Sequence, residues 1–125
     1  MIKEAYVSFE VAKLLKEKGF NELCAVKYCK DGRFDRSFYY YKNSEINKDA
    51  YNAPTQQLVM CWLREVHHLE IYPNHDAFQE HCNWWFSINK FTKGYSDCLY
   101  ESDSIYFTYE DAVEAAIKYC LTNLI

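Results

Sequence analysis

Two runs of consecutive aromatic residues constrain this chain more than any other feature of it. Phe38-Tyr39-Tyr40-Tyr41 and Trp84-Trp85-Phe86 both lie in stretches of strand-like composition. Neighbouring side chains on a strand point to opposite faces. Neither run can therefore turn all of its rings toward one core. The outward rings have two fates. Either another segment covers them, residues 43–53 or 74–82 being the available ones, or they form a surface for a partner. Exposed tyrosine and tryptophan suit contact surfaces, because each joins a large apolar ring to a polar tip.

The helices between these runs have signalled ends. Ser8 is an N-cap residue ahead of Val11, Leu14 and Leu15, and Gly19-Phe20 supplies a left-handed stop followed by an apolar contact. Ala53-Pro54-Thr55 opens a second helix, on the preference of proline for the first turn. Its apolar stripe is Leu58, Val59, Trp62, Leu63 and Val66, and it ends near His67 or His68. Thr108 and Asp111 form a capping-box pattern ahead of a third stripe running from Tyr109 through Ala112, Val113, Ala116, Ile117 and Cys120 to Leu124.

Strands fill the intervals. Residues 24–30 and 36–42 read as a hairpin turned at Asp31-Gly32. The polar stretch 43–53 reads as a loop. Leu69 to Tyr72 reads as a short strand limited by Pro73. Residues 83–92 read as a strong strand turned at Lys93-Gly94, with one or two further strands between Tyr95 and Phe107. The expected fold is α+β, an antiparallel sheet of about four or five strands with three helices, in the order α-β-β-α-β-β(-β)-α. At 125 residues, with half of them hydrophobic and no linker-like stretch, residues 1–125 are read as a single globular domain. Ser8-Phe9-Glu10-Val11-Ala12 echoes Thr108-Tyr109-Glu110-Asp111-Ala112 over five residues, which reads as one helix-start solution used twice.

Three stretches carry a resemblance. They are Ser8 through Phe20, Ala53-Pro54-Thr55-Gln56-Gln57-Leu58 through Trp62-Leu63-Arg64-Glu65-Val66-His67, and Tyr109-Glu110-Asp111-Ala112 through Leu121. Together they resemble small uncharacterised proteins of gut Bacteroidetes, their prophages and their phages. The resemblance implies a mobile-element origin and a place in the cytoplasm of the bacterial host. It brings no catalytic residues with it.

Composition narrows the function classes. The net charge is −4, which argues against a dedicated nucleic-acid binder, since phosphate contacts need lysine and arginine. No run approaches the length of a membrane span, and Met1-Ile2-Lys3-Glu4 does not open a signal peptide. Six cysteines, Cys24, Cys29, Cys61, Cys82, Cys98 and Cys120, read as free and mostly buried thiols. They show no C-x2-C pair of the kind a zinc site uses. His67 and His68 read as a surface pair at a helix end, and His75, His81 and Cys82 could converge only through a loop, so neither metal nor cofactor is expected. No nucleophile elbow or phosphate loop occurs, and each of the three glycines has a turn or cap to account for it.

Charge is uneven along the chain. The first hairpin carries Lys27, Lys30, Arg33, Arg36 and Lys42 against Asp31 and Asp35. The C-terminal part carries Asp97, Glu101, Asp103, Glu110, Asp111 and Glu114 against Lys118. The reading that results is a non-enzymatic binding protein of phage or prophage type. It acts through an aromatic sheet face on a host or phage protein, or on its own copy in a homo-oligomer. The candidate face is Tyr39, Tyr40, Tyr41, Trp84 and Trp85, with Lys27 and Arg36. The alternative is a small-ligand or nucleotide binder with a counter-defence role, in which tyrosines stack a base and the cations hold phosphate.

Overall fold

Helix α1 forms over Phe9–Glu17, and its two ends are built by the residues the sequence singles out. The Ser8 hydroxyl accepts the Val11 N–H at 3.2 Å. At the other end Gly19 takes φ +90°, the Phe20 N–H reaches the Leu15 carbonyl at 2.9 Å, and the Gly19 N–H reaches that of Lys16 at 3.2 Å. That pair of bonds is a complete Schellman motif. A computed structural model describes residues 2–77 and 83–125 of the chain. It divides into two compact units, Met1–Gln56 and Gln57–Ile125.

In the first unit, β1 (Cys24–Tyr28) and β2 (Phe34–Tyr41) form the expected hairpin, with Gly32 at φ +86°. The stretch 43–53 is not the plain loop its polarity suggests. It holds a 3-10 turn at Asn43–Glu45 and a short strand, β3 (Tyr51–Asn52), which pairs antiparallel with the free side of β1. The polar residues are the reason. The Asn43 amide donates to the Phe20 carbonyl at 2.9 Å, and its oxygen accepts the Asn52 N–H at 2.9 Å. The Asn52 amide donates to the Tyr41 carbonyl at 2.7 Å. Both side chains are buried, so what reads as loop composition is an internal hydrogen-bond relay. The Lys16 ammonium gathers the rest of the stretch by donating to the carbonyls of Asn47, Lys48 and Ala50. Phe9 of α1 packs on Tyr28 and Tyr51, and the Gly32 turn lies against the Phe9 ring.

Pro54 lies before the second helix rather than in its first turn. Residues 53–55 are extended because other bonds claim them. The Ala53 N–H binds the Val26 carbonyl, the Pro54 carbonyl accepts from Val7, and Thr55 bridges Tyr6. Helix α2 then runs from Gln56 to His67. His68 ends it at φ +58°, and its carbonyl accepts from Phe91.

The second unit holds β4 (Leu69–His75), β5 (Trp84–Thr92), β6 (Tyr95–Glu101) and α3 (Tyr109–Tyr119). Pro73 does not stop β4; it pairs with Phe86 in mid-strand. The backbone of Phe86 explains this. Its N–H donates to the Ser102 hydroxyl and its carbonyl accepts the Ser102 N–H, so both bonds point away from β4. No ladder bond is required of the proline, and β4 is an edge strand. Thr108 caps α3 by accepting the Asp111 N–H at 3.0 Å. The helix widens into a π turn at Cys120–Leu124, where Thr122 and Asn123 side chains bond the carbonyls of Lys118 and Tyr119.

Among the described residues the architecture is thus α+β with three helices, but the single sheet of four or five strands is replaced by two three-stranded antiparallel sheets. Their orders are β2-β1-β3 and β4-β5-β6. β3 adds a third strand to the first hairpin on the free side of β1, and α2 separates it along the chain from β4. The observed order is α-β-β-β-α-β-β-β-α. β1 is central in one sheet and β5 in the other, so the units are not copies of one another.

The asparagine relay is testable. Asn52→Ala leaves the Tyr41 carbonyl without its buried donor and should lower stability by about 1–3 kcal/mol in urea unfolding. A change near zero would show that the relay does not hold β3 in place.

Candidate functional site

β2 is the edge strand of the first sheet, and its side chains are exposed along nearly its whole length. The ladder explains why. Val26 pairs with Arg36, but Cys24 pairs with Tyr41. Ser37, Phe38, Tyr39 and Tyr40 therefore stand opposite Ala25 alone and bulge out of the sheet. The Ser37 hydroxyl accepts the Tyr39 N–H at 3.1 Å and braces the bulge from within. Phe38 is fully exposed at 100%, Tyr39 and Tyr40 about two-thirds exposed at 70% and 66%, and Tyr41 just over a third at 37%. None of these four rings is a core residue.

The two cations proposed beside these tyrosines point apart. Arg36 shares a sheet face with Val26, while Lys27 shares the other with Asp35 and Asn52. Arg36 donates to the Tyr6 hydroxyl at 3.2 Å with its guanidinium over the Tyr6 ring. Tyr6, Phe34, Tyr28, Phe9 and Tyr51 continue as a chain of edge-to-face and tilted rings on that side. Lys27 lines a hollow of about 320 Å³ with Cys29, Lys30, Asn47, Asp49 and Ala50.

The tryptophans belong to the other sheet, so they share no sheet face with the tyrosines. Strand alternation separates them from each other as well. Trp84 turns to the face that carries α3, where its ring meets His75 at 5.0 Å and Tyr109 at 5.6 Å between centroids. Phe86 and Ile88 are buried on the same face, and Tyr100 stacks on Tyr119 of α3 at 3.9 Å. Trp85 turns to the opposite face, paired with Asn74 and diagonal to the exposed Tyr72. Both tryptophans are half-buried. The site expected from sequence thus divides into an exposed tyrosine edge, a half-buried outward Trp85, and a Trp84 engaged in packing.

Sequence reasoning passed over a second exposed edge. β6 shows Tyr95 and Leu99 to solvent, and Ile105 and Phe107 beyond it are exposed too. The absence of lysine and arginine between Lys93 and Lys118 is the signal that marks it.

Metal chemistry has no assembled site among the described residues. No group of three or more His, Cys, Asp or Glu there could share an ion. His81 and Cys82 lie outside the described residues. Of the other cysteines, Cys24 and Cys120 are buried, and burial pushes their thiols up to about 11 and about 12. Cys98 is exposed, against the expectation of mostly buried thiols, because it faces outward on edge strand β6. Cys29 accepts from the Arg33 guanidinium at 3.4 Å in the hairpin turn.

No family model matches the chain, and neither does any curated protein or solved structure.

One histidine has a pH consequence. His67 packs edge-on against Trp62, and its Nε2 is buried without a hydrogen-bond partner. Burial, with the adjacent His68, holds it below the ordinary value of 6.5. The folded chain therefore binds this proton more weakly than the unfolded chain. The stability it contributes is complete above pH 6.5 and declines as pH falls toward the lowered folded value. Urea unfolding at about pH 7.5 and about pH 5.5 should show this loss, and His67→Leu should reduce it. An identical loss in the variant would assign the titration elsewhere.

Proposed function

We propose that this chain is a non-enzymatic binding protein of phage or prophage type, working in a bacterial cytoplasm by protein–protein contact. The surface is the edge of β2, narrower than a whole aromatic sheet face. The observation that carries this reading is the bulge at 37–40, which lifts Phe38, Tyr39 and Tyr40 off the ladder into solvent. A run of large rings braced in that position is poorly placed for stability and well placed for recognition. Bulges at sheet edges re-aim side chains, and aromatic rings dominate contact energies. A photo-crosslinking residue at position 38 or 40 should yield protein adducts several-fold above one placed at exposed Lys118. Unlabelled protein should compete them away, and Phe38→Ser/Tyr40→Ser protein should not. Equal yields at all three positions would end this reading.

A second reading rests on the hollow around Lys27. Its volume of about 320 Å³ suits a small ligand, and two ammonium groups, Lys27 and Lys30, suit a phosphate. A nucleotide at a hundredfold excess over its Kd would raise stability by about 2.7 kcal/mol. A thermal-shift series should show that rise for the native chain and lose it in Lys27→Ala. No shift with any nucleotide would exclude this use of the hollow.

A further inference from the structure

The chain carries a second edge of complementary character to β2. β6 closes the other sheet, and six of its seven residues are exposed, with only Tyr100 half-buried. Tyr95, Leu99, Ile105 and Phe107 give it an apolar surface of its own. Asp97 and Glu101 lie on the strand and Asp103 just beyond it, with Lys90 paired opposite Asp97 on β5. β2 is the inverse: Arg33, Arg36 and Lys42 flank its aromatic bulge, with Asp35 alone opposing on the strand.

The same division holds for the two units. Residues 1–56 carry ten lysines and arginines against eight acids, and residues 57–125 carry four against ten. An apolar edge strand with unpaired backbone groups invites pairing. Here one sign of charge predominates at each edge, basic around β2 and acidic along β6. Like edges repel, so β2 is set against another β2 and β6 against another β6, while unlike edges attract.

We infer that β2 of one copy docks against β6 of a second copy of this chain. The inference rests on β2 being a contact surface and names its occupant. Arg36 and Lys42 meet the Glu101 and Asp103 side of the partner edge, and the exposed rings of 38–41 meet Tyr95 and Leu99. Because each copy contributes two different patches, the contact is heterologous. It closes into a ring where the rotation between copies allows and otherwise propagates as an open chain.

The full chain should show concentration-dependent growth beyond a dimer in sedimentation, and this should weaken as salt rises from about 50 mM to about 500 mM. Arg36→Glu alone and Glu101→Lys alone should each weaken association about tenfold or more. Mixing the two variants should restore it, because an acidic β2 then meets a basic β6. Lys42→Glu serves as a second β2 reversal, since Arg36 also bonds Tyr6 and its loss could disturb folding; circular dichroism and melting check each variant. A chain that stays monomeric, or one whose association ignores Glu101→Lys, overturns the pairing. In that event adducts from position 38 with a protein of another mass would leave β2 standing as a contact strand. The loss of those adducts as well would remove both readings.

Discussion

The pairing of Tyr51 and Asn52 with β1 is the interaction on which the first unit depends. Two buried asparagines make it possible. Asn43 ties the start of the returning stretch to Phe20, just beyond the stop of α1, and passes a bond to Asn52, which reaches Tyr41 at the end of β2. Three separate parts of the chain are joined by side-chain amides that have no water to fall back on. Lys16 adds a charge-assisted clasp over the carbonyls of residues 47–50. Burial lowers its pKa, the opposing effect of Asp49 being smaller.

Consequences for the surface follow from that pairing. With β3 on one side of β1, β2 is left as an edge on the other. An edge strand has only one partner to satisfy, so it tolerates the mismatch between four residues of β2 and one of β1 that throws Phe38, Tyr39 and Tyr40 outward. The same logic governs β4, whose edge position accommodates Pro73 because Phe86 spends its backbone bonds on Ser102. In both sheets the irregular residues sit where the ladder makes the fewest demands.

Helix ends and hairpin turns were legible in the residues. Ser8, Gly19, Gly32, Gly94 and Thr108 each do locally what their chemistry dictates, within a few residues of chain. The α+β class follows from those ends and from the strand composition between them. The candidate site was legible only in part. Exposure of Tyr39, Tyr40 and Tyr41 depends on a register shift, and no local signal encodes a register. The opposite facing of Trp84 and Trp85 was implicit in strand alternation, but which of them meets α3 was not.

What the sequence by itself determined is therefore short-range: caps, stops, turns, apolar stripes, and the uneven charge of its two halves. Tertiary structure decided what depends on distant partners. It turned a polar stretch into a strand by burying Asn43 and Asn52, split one expected sheet into two, and divided the aromatic runs between packing and solvent. The reason is the range of the forces. A cap is satisfied by atoms three residues away, whereas an edge exists only through what fails to pair with it.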